Sequence, residues 1–129
     1  MDIHHIGYLV REIPEAEKEF FRLGFKADGG ITLDEARNIF IEFLKNGEYT
    51  IELVAPANEK APVHRLMKKC GSMPYHICYL SQNLYEDVEQ LKKDGYIVIE
   101  EPLTAPAIKN RRVAFLFKET VGIIELVEK

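Results

Sequence analysis

The sequence predicts an α+β fold made of two copies of one βαβββ module, eight strands in all, and three observations predict it. The stretch from His5-Ile-Gly-Tyr-Leu to Gly24-Phe25 recurs as His76-Ile-Cys-Tyr-Leu to Gly95-Tyr96, at a constant offset of 71 residues. Each copy closes on the same four residues, Ile51-Glu52-Leu53-Val54 and Ile124-Glu125-Leu126-Val127, now 73 apart because the intervening loops differ by two residues. Between these markers each copy carries one helical segment followed by strand-like segments. A self-similar period of this length is a duplicated supersecondary unit, which has to pack against its twin to bury its apolar face. At 129 residues the chain is then a single domain, with repeats at about 1–56 and 73–129 and a linker at 57–72.

The elements follow in order. Ile3 to Val10 alternates and is rich in β-branched and aromatic residues, as a strand does, with His5, Gly7 and Leu9 on one face and Ile6, Tyr8 and Val10 on the other. Pro14-Glu15-Ala16-Glu17 opens a helix, since proline is tolerated in the first turn and acids complement the dipole there; Gly24 stops it. After the Gly29-Gly30 turn, strands are expected at 30–33, 39–44 and 49–54, the last two joined at Asn46-Gly47 as a hairpin. The linker carries a short amphipathic helix over 62–69. The second module repeats the order: a strand at 75–80, a helix at 85–93 stopped by Gly95, and strands near 96–100, 113–117 and 123–127.

Bulk properties exclude several functions. With 47% hydrophobic and 29% charged residues the composition is that of a soluble globular protein. A formal charge of −4 and a pI near 5.6 argue against a nucleic-acid surface, which needs a concentrated basic face. There is no apolar run of membrane-spanning length and no secretory leader pattern, so no membrane association and a cytoplasmic location are expected. Cys70 and Cys78 do not have zinc-ligand spacing, which leaves two reduced, structural thiols as the expectation.

The chemistry lies in what the duplication repeats, a histidine followed about fifty residues later by a glutamate. Pleat alternation puts His5 with Gly7 and Leu9, Glu52 with Thr50 and Val54, His76 with Cys78 and Leu80, and Glu125 with Ile123 and Val127 on helix-free faces. A carboxylate within Ile-Glu-Leu-Val would be costly to desolvate unpaired. A divalent cation removes that cost, and two neutral imidazoles with two carboxylates balance its charge. His5, Glu52, His76 and Glu125 are therefore the candidate metal ligands, in a donor set that suits Zn, Ni, Co, Mn or Fe. One strand histidine alone is most often a hydrogen-bonded core residue; the same pair arising in both repeats is what lifts the metal reading. His4, on the other face from His5, and Cys78, which stands where the first repeat has Gly7, are expected to be structural. Arg111 and Arg112, in the basic loop Lys109-Asn110-Arg111-Arg112, and Arg37, in the matching place of the first repeat, are candidates for holding carboxylate or phosphate groups of a substrate.

Paired βαβββ units with His-Ile-Gly early and Ile-Glu-Leu late resemble the vicinal oxygen chelate superfamily over essentially the whole chain. The resemblance implies a cupped eight-stranded mixed sheet of the glyoxalase/bleomycin-resistance type holding one divalent metal, Ni, Zn or Co, that chelates two neighbouring substrate oxygens. The nearest branches are glyoxalase I and methylmalonyl-CoA epimerase. His5, Glu52, His76 and Glu125 match the ligand order of glyoxalase I, whereas the epimerases typically carry glutamine at the second position. Conversion of a 2-oxoaldehyde hemithioacetal to a 2-hydroxyacyl thioester, through an enediolate, is thus the leading expectation. Glu125, with Glu52, would be the catalytic proton carrier. The alternatives are an acyl-CoA epimerase, which makes the partner either a small thiol adduct or an acyl thioester, and a metal-free small-molecule binding protein. A homodimer is expected, since a twofold partner covers sheet edges.

Overall fold

The computed structural model describes residues 1–129. The elements run β1 (Ile3–Leu9), α1 (Ile13–Arg22), β2 (Lys26–Ala27), β3 (Thr32–Asp34), β4 (Ile39–Asn46), β5 (Tyr49–Pro56), α2 (Pro62–Cys70), β6 (Met73–Ser81), α3 (Leu84–Lys93), β7 (Ile97–Ala105), β8 (Arg111–Lys118) and β9 (Gly122–Glu128). There are nine strands rather than eight. The strand expected at 30–33 is β3, and β2 is an additional short strand before it; both pair with β4, as Ala27↔Leu44 and Thr32↔Ile41. The chain breaks between them at Gly29, whose φ of +100° lies outside the extended region.

Two compact units make up the chain, Ile6–Pro74 and Met1–His5 together with Tyr75–Lys129. Their boundaries fall inside β1 and β6. In the first unit the strand order is β2-β4-β5-β1, with β3 also on β4; in the second it is β6-β9-β8-β7. The first residues of β1 belong to the second unit, where Leu80 N donates to Asp2 O at 2.8 Å.

The duplication is reproduced residue for residue in the pairing. β1 and β5 are parallel with Ile6↔Ile51 and Gly7↔Glu52, and β6 and β9 are parallel with Ile77↔Ile124 and Cys78↔Glu125. Because strand side chains alternate, an identical register puts the two glutamates on equivalent faces. The opposite faces are apolar and carry the helices. In the first unit Leu44, Ile51 and Leu53 pack with Ile13 and Phe20 of α1; in the second Leu116, Ile124 and Leu126 pack with Leu84 and Val88 of α3. Helix ends agree with the sequence. Pro14 lies in the first turn of α1, the Asn83 side chain caps α3 by accepting from Glu86 N, and Gly24 and Gly95 take φ of +102° and +96° just beyond the two helices. α2 covers the segment expected to be helical. The β4–β5 hairpin turns through Gly47, φ +59°, as a two-residue loop with glycine first requires.

Candidate metal centre

In the second unit β1, β6 and β9 bring three of the expected ligands to one point. His5 comes from the start of β1, His76 from β6 and Glu125 from β9, and none is more than 4% exposed. Nε2 of His5 is 3.1 Å from Oε1 of Glu125, Nε2 of His76 is 3.2 Å from the same oxygen, and the two ring nitrogens are 3.3 Å apart. Tyr75 and Phe115 meet the His76 ring edge to face, at centroid distances of 4.5 and 5.4 Å, and fix its plane.

These three atoms are spaced as metal ligands are. An ion about 2.1 Å from each donor holds neighbouring donors about 3.0 Å apart at right angles and about 3.4 Å apart at the tetrahedral angle. The observed separations lie between the two. Oε1 of Glu125 is buried and, despite its two close imidazoles, is met by no hydrogen bond of good geometry. The residues therefore fit a divalent ion. Burial alone would raise the Glu125 pKa, but the His5 and His76 rings outweigh it and hold the carboxyl well below the usual range. Glu125 is thus ionised at neutral pH, as a ligand must be.

Glu52 lies in the first unit, on β5. It is 3% exposed and paired in register with Gly7 and Phe43. It occupies in β5 the position that Glu125 occupies in β9.

The arginines are engaged by nearby acids and rings. Arg37, in the turn before β4, donates from Nη1 to Oδ2 of the buried Asp34 at 2.7 Å. Arg112 donates from Nε to Oε2 of Glu128 at 2.8 Å and from Nη1 to the Tyr85 hydroxyl at 2.8 Å, its guanidinium lying over the Tyr85 ring. Arg111 and Arg112 belong to β8; only Lys109 and Asn110, both with positive φ, form the loop. Arg111 reaches inward, with Nη1 3.4 Å from Glu128 O and Nη2 3.2 Å from Nε2 of His4.

His4 is the residue whose part the sequence did not reveal. Strand alternation puts it on the face opposite His5, yet its Nδ1 is 2.7 Å from Nδ1 of His5. The two rings meet edge to face near the start of β1. The available signal was the doublet itself, two imidazoles in succession where a ligand needs an outer partner. Cys78 is fully buried, and its Sγ and the ring nitrogens of His4 and His5 lie within 4.8 Å of one another.

The chain is 28% identical to an uncharacterized protein of Bacillus subtilis (strain 168) over 130 residues, 98% of this chain and 91% of that one. A crystal structure of a hypothetical protein from Bacillus halodurans C-125 superposes with a TM-score of 0.88 at 27% identity, over 99% of this chain and 94% of that one. The methylmalonyl-CoA epimerase of Mycobacterium tuberculosis has the same fold, with a TM-score of 0.84 at 22% identity over 98% and 86% of the two chains. So has that of Streptomyces coelicolor in complex with 2-nitronate-propionyl-CoA, with 0.85 at 23% over 100% and 94%. No helix is long and apolar enough to cross a membrane. With residues 4–115 matching its family profile, the chain belongs to the Glyoxalase/Bleomycin resistance protein/Dioxygenase superfamily.

Proposed function

We propose that the protein is a metal-dependent epimerase or isomerase that moves a proton on the carbon next to the carbonyl of an acyl-CoA thioester. The observation that carries this is the convergence of His5 Nε2, His76 Nε2 and Glu125 Oε1 within 3.1 to 3.3 Å of one another in a buried setting. Glu52 is the proposed fourth ligand, on the strength of its repeat equivalence to Glu125. When bound, a divalent ion there supplies Lewis-acid polarisation of the substrate carbonyl. His5 and His76 hold their nitrogens fixed. Glu125 and Glu52 carry the proton, accepting it from carbon and returning it. With the Glu125 carboxyl held below its usual range, the carbonyl must share the charge as the C–H bond breaks.

The acyl-CoA substrate is favoured over the hemithioacetal expected from Glu52, because structures of like fold named above are methylmalonyl-CoA epimerases, one of them holding a propionyl-CoA analogue. The specific observation on the other side is Glu52 itself, where epimerases typically carry glutamine. The test is the cobalt-loaded protein in D2O with a 2-methylmalonyl thioester of coenzyme A, followed by proton NMR. Loss of the C2 proton signal with scrambling of the stereocentre is expected. An inert thioester together with metal-dependent formation of lactoylglutathione from methylglyoxal and glutathione would refute the epimerase and support the second reading.

A further inference from the structure

We propose that metal binding at His5 and the hydrogen bond from Arg111 to His4 exclude each other, so that loading the centre releases Arg111. The inference rests on the metal reading of His5, His76 and Glu125. It follows from counting protons along one chain of contacts: Arg111 Nη2 to His4 Nε2 at 3.2 Å, His4 Nδ1 to His5 Nδ1 at 2.7 Å, and His5 Nε2 to Glu125 Oε1 at 3.1 Å.

Arginine only donates, so Nε2 of His4 facing it must be a lone pair. A neutral His4 then carries its proton on Nδ1. The 2.7 Å contact has room for one proton between the two Nδ1 atoms, and it is the one on His4. Nδ1 of His5 is therefore the acceptor, and the His5 proton sits on Nε2, the nitrogen that faces Glu125. In this arrangement Nε2 of His5, which faces both Oε1 of Glu125 and Nε2 of His76, carries a hydrogen and cannot ligate.

A ligating Nε2 reverses every step. The proton leaves Nε2 of His5, Nδ1 of His5 takes the proton from Nδ1 of His4, and Nε2 of His4 takes one from solvent. One proton is released and one taken up, both rings stay neutral, and the net charge of the pair is unchanged. Nε2 of His4 now carries a hydrogen aimed at Nη2 of Arg111, donor against donor. The guanidinium must leave that contact, and its fork becomes available to an anionic group. By linkage the effect is reciprocal: whatever draws Arg111 away from His4 favours the metal-competent form of His5, and the His4 contact opposes it. His4 acts here as a positioning residue, deciding which nitrogen of His5 bears the proton.

Nitrogen-15 histidine NMR on the full chain, first metal-free and then with zinc, reads this directly. Metal-free protein should show His4 protonated on Nδ1 and His5 on Nε2; zinc should move both, leaving His4 protonated on Nε2 and shifting the Arg111 side-chain resonances. Zinc uptake seen at His5, with His4 still protonated on Nδ1, would overturn the coupling while leaving the metal site standing. Failure of zinc to perturb His5 and His76 at all would overturn the metal reading and the coupling with it. In Arg111→Met, checked for a native-like spectrum, metal-free His4 should already populate the Nε2-protonated form. An Arg111→Met spectrum with His4 wholly on Nδ1 would show that Arg111 does not set the tautomer, against the proposal.

Discussion

Replacing Glu42 by glutamine should stabilise the protein above neutral pH and remove a pH dependence that the natural chain carries. Glu42 lies on β4, is 3% exposed, and pairs in register with Leu53, so it faces the apolar layer under α1. Burial, then the hydrogen bond with Glu17 of α1 and its repulsion, raise the Glu42 pKa from 4.5 to about 7. Oε1 of Glu42 has no hydrogen-bond partner. The folded state therefore holds a proton that the unfolded chain has released. Stability from this group is highest below about pH 4.5, falls as pH rises toward 7, and stays at its minimum above that. A shift from 4.5 to 7 corresponds to a ceiling of about 3.4 kcal/mol at about 1.36 kcal/mol per unit. Solvent screening and the sharing of one proton with Glu17 bring the expected loss to about 2 kcal/mol. At about 4 °C per kcal/mol for a chain of this length, the wild type should melt about 8 °C lower, relative to Glu42→Gln, at pH 8.5 than at pH 5. Glutamine mimics the protonated acid and can donate to Glu17 at any pH. Urea unfolding of both proteins across pH 5 to 8.5 measures the difference, and parallel curves would refute the reasoning.

Three further outcomes are expected. Zinc at a hundred times its dissociation constant should stabilise the fold by about 2.7 kcal/mol, raising Tm by roughly 10 °C, with EDTA reversing it. Glu125→Gln should weaken metal binding at least tenfold in a chelator competition and lower deuterium exchange into an acyl-CoA substrate by orders of magnitude; exchange at the wild-type rate would remove Glu125 from the reaction. Leu53→Ala, at a position with no exposed surface in the core under α1, should cost about 2–5 kcal/mol in urea titration without changing metal affinity.

The sequence by itself determined the duplication, the βαβββ order, the two glycine helix stops and the faces on which His5, Glu52, His76 and Glu125 lie. These are legible because alternation and helical period are local properties of the chain, and a repeat states each of them twice. The family follows from the same features. Other matters needed the tertiary structure. The additional strand β2, outside the segment expected at 30–33, exists only because Lys26 and Ala27 lie along β4. Arg37, Arg111 and Arg112 are alike as basic residues next to strands, yet Asp34 takes one, Glu128 and Tyr85 take another, and the third reaches His4 from 107 positions away. The pairing of His4 with His5 likewise contradicts simple alternation, and the guanidinium that meets the other ring nitrogen of His4 comes from Arg111 of β8. Periodicity records which face a residue occupies. Arg37 finds Asp34 three positions back in its own turn, but for Arg111 and Arg112 the partner is set by the meeting of sequence-distant strands, and no local pattern encodes it.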